Sequence, residues 1–127
     1  MDYITIATTG NALDFGDLTQ AVYSMCGVSN QTRAVRCGGH LQGVGTQNVM
    51  DYITIATTGN ALDFGDLATT SQAQAGVSNP TRGCIMNRYN ALDTIEYITI
   101  ETTGNALDFG DTTQGRNFPT GGDTSTG

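Results

Sequence analysis

Residues 1–18, MDYITIATTGNALDFGDL, recur without a change at 50–67, and EYITIETTGNALDFGD at 96–111 is a close third copy. Tyr3, Tyr52 and Tyr97 are equivalent, which sets a period of 49 and then 45 residues. A second block keeps the same register: GVSNQTR at 27–33 returns as GVSNPTR at 76–82. Periods of that length belong to arrays in which one supersecondary unit buries its apolar face only against its neighbour. Whatever one copy folds into, the next copy must fold into as well, and the two must stack.

Within a copy, Tyr52-Ile53-Thr54-Ile55-Ala56-Thr57 is β-branched and aromatic and alternates, with Ile53 and Ile55 on one face and Tyr52 and Thr54 on the other. That pattern predicts a strand. Thr58-Gly59-Asn60-Ala61 supplies residues that accept positive φ in a hairpin loop, and Leu62 to Leu67 resumes as a second strand carrying Phe64. Between copies, Ala21–Val28 and Arg33–Cys37 predict another hairpin around Ser29-Asn30-Gln31-Thr32. In it Gly27 faces Arg36, Val28 faces Val35 and Cys26 faces Cys37. The positions one repeat later are Ala75 and Met86, so the thiols stand outside the repeat design. With three cysteines and no C-x-x-C spacing, a disulfide across this pair and simple buried thiols both stay open.

Four antiparallel strands in a unit of about fifty residues describe a propeller blade. The predicted class is all-β: tandem four-stranded antiparallel blade-like repeats, about two and a half blades in one domain spanning 1–127. Its parts are a half blade at 1–18, blades at 19–67 and 68–111, and a polar C-terminal tail at 112–127. Composition agrees, because 38% hydrophobic residues, 17 glycines and no tryptophan suit short strands and many turns.

The formal charge is −7, from five arginines and no lysine against twelve carboxylates, so no basic stripe exists to neutralise a phosphate backbone. Nucleic acid is excluded as an expected partner. No apolar run is long enough to cross a bilayer, and no basic segment precedes an apolar one after Met1, so neither membrane insertion nor a signal peptide is expected. Sparse charge with Thr, Asn, Gly and Ser in the turns suits a virion or extracellular surface, reached by lysis or by assembly into a particle.

The order Thr32-Arg33-Ala34-Val35-Arg36-Cys37-Gly38-Gly39, a variable loop, Tyr52-Ile53-Thr54-Ile55 and then Phe64-Gly65-Asp66-Leu67 is similar to the Kelch repeat of β-propellers. In that family a glycine doublet ends the second strand, a tyrosine marks the third and an aromatic, usually tryptophan, sits in the fourth. The wording DYITIATTGNALDFGDL followed by an S-x-x-TR block resembles repeat arrays in tail fibres and other structural proteins of marine phages. The resemblance implies a scaffold, with Gly38-Gly39 letting strands approach closely and Phe64 packing between blades. The chain departs from the Kelch pattern at Asn87-Arg88, which replaces the doublet in the second unit, and at Phe64 and its copies, which replace the tryptophan.

Two and a half blades do not close a ring that needs at least about four, so exposed faces and edges must be charged, covered or paired with another chain. A homo-oligomer is therefore expected, with other virion proteins as alternative partners. Because Met1 coincides with internal Met50, a truncated product of a longer array is a further reading. Glu101 stands where the second copy has Ala56, and its carboxylate is read as marking a wet face in the last repeat.

Residues 40–49 and 87–94 differ in length and chemistry while the strands around them barely change, and binding residues on rigid scaffolds concentrate in loops. His40, Gln42 and Gln47 in the first loop, with Asn87, Arg88, Tyr89 and Asn90 in the second, form the expected recognition surface for protein or host surface glycan. Arg88 and Tyr89 are the most contact-capable of them.

Asn60, Asp63 and Asp66 offer oxygen ligands of the kind calcium takes. Turn chemistry explains the same residues, since Asn and Asp tolerate left-handed geometry and bond their own backbone. His40 has no partnered acid or nucleophile and reads as a solvent-exposed loop residue. The glycines Gly38-Gly39 and Gly43-x-Gly45 lack the lysine of a phosphate loop, and Asn30-Gln31-Thr32 matches a glycosylation sequon without a secretory route.

No catalytic residue, metal or cofactor is expected. The functional expectation is a non-enzymatic, virion-associated structural or adhesive module, with a self-assembling lattice or filament protein as the alternative. A carbohydrate-active enzyme on a propeller scaffold needs convergent carboxylates, whereas the Asp63/Asp66 pair recurs in every unit and so reads as structural.

Overall fold

A computed structural model describes residues 1–86 and 92–115, which hold eleven strands and no helix. β1 (Asp2–Tyr3) and β2 (Leu13–Asp14) form a two-stranded sheet. β3 (Val22–Tyr23) and β4 (Cys26–Ser29) share one edge of β5 (Arg33–Leu41), which pairs onward with β6 (Gly45–Thr54) and β7 (Leu62–Ser71) to make five strands. β8 (Ala75–Ser78), β9 (Arg82–Met86), β10 (Thr94–Thr99) and β11 (Leu107–Asp111) form a four-stranded sheet in chain order. All pairings are antiparallel, so the all-β antiparallel class expected from the alternation is the one that forms.

The expected hairpin register is present, with Cys26 opposite Cys37, Gly27 opposite Arg36 and Val28 opposite Val35. Three local expectations change. The segment Ala21–Val28 is split by Ser24, whose positive φ of 55° breaks it into β3 and β4 and gives the sheet five strands instead of four. β6 stops at Thr54: Ile55 N–H makes a last rung to Thr32 O at 2.8 Å, in register with β5, and Thr57 N–H then closes a turn on Thr54 O. Residues 40–49 are mostly strand, leaving only Gln42-Gly43-Val44 as the β5–β6 turn. Gly38 lies close to its neighbours as its type allows: a Cβ there would sit 2.7 Å from Ser71 O.

Each sheet is fastened to the next by the repeated GNALDFGD segment. Gly59 N–H donates to Phe15 O at 2.7 Å and Ala61 N–H to Asp17 O at 2.8 Å, while Asp17 N–H donates to Asn60 Oδ1 at 2.9 Å. One copy later the set recurs: Gly104 to Phe64 O at 2.7 Å, Ala106 to Asp66 O at 2.9 Å, and Asp66 N–H to Asn105 Oδ1 at 3.0 Å. A carboxylate completes it, since Asp51 Oδ2 accepts from Thr19 N–H at 3.0 Å and Glu96 Oε1 from Ala68 N–H at 2.9 Å. The glycine between Phe and Asp is required by this approach. Gly16 and Gly65 have φ of 140° and 137°, and a Cβ on either would fall under 3.0 Å from the facing glycine carbonyl.

The core lies in the seam between the second and third sheets, where Val28, Val35 and Phe64 meet Ile85, Ile98, Ile100 and Ala106. Small residues set the spacing. A Cβ on Gly83 would lie 2.5 Å from Val28 Cγ2, and one on Gly76 would lie 2.6 Å from Gly27 O.

Burial follows a residue's place in the stack. Ile6, Ile55 and Ile100 are equivalent and are 95%, 43% and 0% exposed, whereas Phe15, Phe64 and Phe109 run 8%, 2% and 53%. Leu13, Leu62 and Leu107 are 58%, 59% and 57% exposed, a rim position indifferent to stacking. The isoleucine face needs a preceding copy, and the phenylalanine needs a following one.

Glu101 corrects the reading of a merely wet face. Its carboxylate is half exposed, yet it accepts from Asn30 Nδ2 at 2.6 Å and from the Thr32 hydroxyl, and lies 3.8 Å from Arg33 Nε. It ties the turn after β10 to the β4–β5 turn of the sheet before it.

Candidate functional site

A groove of about 400 Å³ runs along the β4–β5 hairpin, floored by Gly27, Val28, Ala34 and Val35 and flanked by Met25, Ile53 and Ala61. Met1 and Leu18 of the first copy close one side. Its origin is the unequal length of the units. One repeat later the matching positions Ile85, Ile98 and Ala106 are buried beneath the five-stranded sheet. Here only a two-stranded sheet lies above them, so the same apolar seam is left partly open. It can take an apolar side chain or a flat ring and offers little directional chemistry.

The charged pair at the groove is internally satisfied. Arg36 Nε and Nη2 bond Asp51 Oδ1 and Oδ2 at 2.9 and 2.8 Å, and Nη1 donates to Gly38 O at 2.6 Å and Val49 O at 3.0 Å. Asp51 Oδ2 also accepts from the Thr19 hydroxyl at 2.6 Å. Burial works to raise the Asp51 pKa, but the Arg36 guanidinium and the two Thr19 donors outweigh it and hold the carboxyl below its ordinary range. Both side chains are buried, so the pair braces the hairpin against the first copy. Sequence reasoning missed it. The available signal was an acid before every YITI, namely Asp2, Asp51 and Glu96, set beside a single arginine whose counterpart one repeat later is Ile85.

Of the expected recognition residues, His40, Gln42 and Gln47 come together at one end of the β5–β6 hairpin. His40 is not a solvent-exposed loop residue: it is half-buried in β5, its ring centroid 5.0 Å from that of Tyr23, with Nδ1 buried. Gln47 is turned back on its own strand, donating to Gly45 O at 3.0 Å and Thr46 O at 3.2 Å. Gln42 alone of the three is exposed, beside the exposed Val44 at the turn. Asn87, Arg88, Tyr89 and Asn90 lie outside the described residues.

Asn60 and Asp66 serve the ladder between copies, Asn60 as acceptor and Asp66 through its backbone. Asp14 and Asp108, equivalent to Asp63, accept from Gly16 and Gly110 N–H at 3.1 Å, as turn-forming aspartates do. Among the described residues no group of three or more His, Cys, Asp or Glu gathers as a metal site.

Asn30, the sequon asparagine, has both ends engaged. Its Oδ1 accepts from Thr32 and Arg33 N–H, and its Nδ2 donates to Pro80 O and Glu101. Cys26 and Cys37 face each other as free thiols. A hydrogen bond with Cys26 and full burial push the Cys37 thiol well above its usual value.

Comparison with protein-family models finds no match to the chain, and comparison with curated proteins finds none either.

Proposed function

We propose that this chain is a non-enzymatic structural or adhesive module of a virion: a Kelch-like run of about two and a half stacked antiparallel blades that carries short turns on a rigid frame. One observation supports the scaffold reading above others. The polar residues repeated in the copies serve the frame: Asn60 and Asn105 accept from the backbone of the sheet before them, Asp17 and Asp66 join those junctions through their backbone, and Asp14 and Asp108 close turns in their own copies.

The virion assignment rests on the resemblance of the repeat wording to phage fibre arrays. It places the protein on particles or, after lysis, outside the cell, with other virion proteins or a host surface glycan as partners. The turn Gln42-Gly43-Val44, beside His40 and Tyr23, is the exposed element of this surface, closed by Val44 N–H on Leu41 O at 3.1 Å. Quantitative mass spectrometry of purified particles tests the assignment. The chain should be recovered in proportion to known particle components, and its confinement to the unassembled lysate fraction would overturn the reading.

A further inference from the structure

Two halves of one interface are exposed at opposite ends of the stack. At internal junctions, Gly-Asn-Ala of one copy bonds Phe-Gly-Asp of the copy before it, and Ile98, Ile100 and Ala106 close over Phe64. The first copy presents the receiving half unfilled: Ile4, Ile6 and Ala12 are exposed, whereas Ile98, Ile100 and Ala106 of the third copy are buried. The third copy presents the other half. Phe109 is exposed, and a Cβ on Gly110 would meet nothing within 4 Å, although its φ of 134° matches that of Gly16 and Gly65, which each face the next copy's glycine carbonyl. The β11 edge is already shaped for a partner that none of the described residues provides.

We propose that a second copy of this chain docks there head to tail, its Gly10-Asn11-Ala12 bonding Phe109-Gly110-Asp111 as Gly59-Asn60-Ala61 bonds Phe15-Gly16-Asp17. The occupant follows from continuity with the established junctions: the missing half is present, in sequence and in conformation, on the same molecule. Val77 agrees, since its counterpart Val28 is buried against the next sheet while Val77 is only half-buried. So does Asp2, exposed where Asp51 and Glu96 capture a backbone N–H of the preceding copy, with Thr113 occupying the position of Thr19. The contact joins two different surfaces, so it propagates into rings or open filaments rather than stopping at a two-fold dimer.

This inference deepens the scaffold reading and rests on it. Sedimentation equilibrium of the full chain over a wide concentration range tests it, beside Ile6→Arg, which blocks the receiving half, and Phe109→Arg, which blocks the other. Circular dichroism checks that each variant keeps its sheets, and Ile6 is so exposed that its replacement leaves the monomer intact. The wild-type average mass should at least double with concentration while each variant stays monomeric. An equal mixture of the two variants should form dimers and nothing larger, because one open pair of ends remains. A wild-type chain that stays monomeric, variants that assemble like wild type, or a mixture that stays monomeric or grows past dimers would each overturn the proposal. A monomeric chain found in particles would sink this inference alone, and a polymer absent from particles would sink only the virion assignment.

Discussion

Asp51 does two jobs: it neutralises Arg36 inside the second sheet and receives Thr19 from the first copy. A guanidinium left behind without its carboxylate, or the reverse, has no other charged partner there. Arg36→Leu should cost about 3–5 kcal/mol in urea unfolding, because a buried charge is left uncompensated. The pH dependence has a defined direction. The folded pKa of Asp51 lies below its unfolded value near 3.8, so its contribution is present above that value and is lost as pH falls through the folded pKa. Thermal unfolding should stay flat near neutral pH and weaken below about pH 4, and Asp51→Asn should flatten that acid limb. The thiols give a second check at this scale. Cys37, buried and with its pKa raised, should resist alkylation in the native protein at mildly alkaline pH, and rapid labelling there by mass spectrometry would contradict the packing.

At the scale of elements, the repeated segment acts as a fastener only where a neighbour exists. Asn105→Ala removes the acceptor for Asp66 N–H and should destabilise by about 1 kcal/mol, whereas Asn11→Ala, measured in dilute monomer, should change little. The glycines offer a cleaner pair. Gly65→Ala and Gly110→Ala impose the same backbone strain, at φ of 137° and 134°, but only the first pushes a methyl into the next copy's backbone. Gly65→Ala should therefore be the worse by about 1–3 kcal/mol in chemical denaturation of monomer, the usual penalty of overpacking. Glu101→Ala should loosen the third sheet from the β4–β5 turn, visible as faster proteolysis near Asn30.

Much of this level was legible beforehand. Alternation and turn residues located both hairpins, and the expected pairing of Val28 with Val35 across the Ser29–Thr32 turn is the one that forms. Strand ends were less legible. β6 stops at Thr54 because the chain turns there, with Thr57 N–H closing on Thr54 O, and the 40–49 segment becomes strand because β5 and β6 hold one another in register. Ser24 breaks a run whose composition reads as continuous.

For the whole molecule, one packing interface is used repeatedly and stability should be greatest where a copy has neighbours on both sides. Hydrogen exchange should be fastest in residues 2–17, whose isoleucine face is open, and slowest in β6 and β10, each paired on both edges. Uniform protection from end to end would contradict a stack fastened only through neighbours.

From its residues alone the chain is bound to be β-rich, antiparallel and modular, since alternation, turn chemistry and repetition are local properties that each copy carries with it. Which copies of an identical segment are dry, which ends are open and which acids meet an arginine were decided by tertiary structure. Residues 1–18 and 50–67 are the same string, yet Ile6 is bare where Ile55 is half covered and Asp2 is exposed where Asp51 is buried. Identical sequence has identical propensity, so the difference comes only from what lies against it.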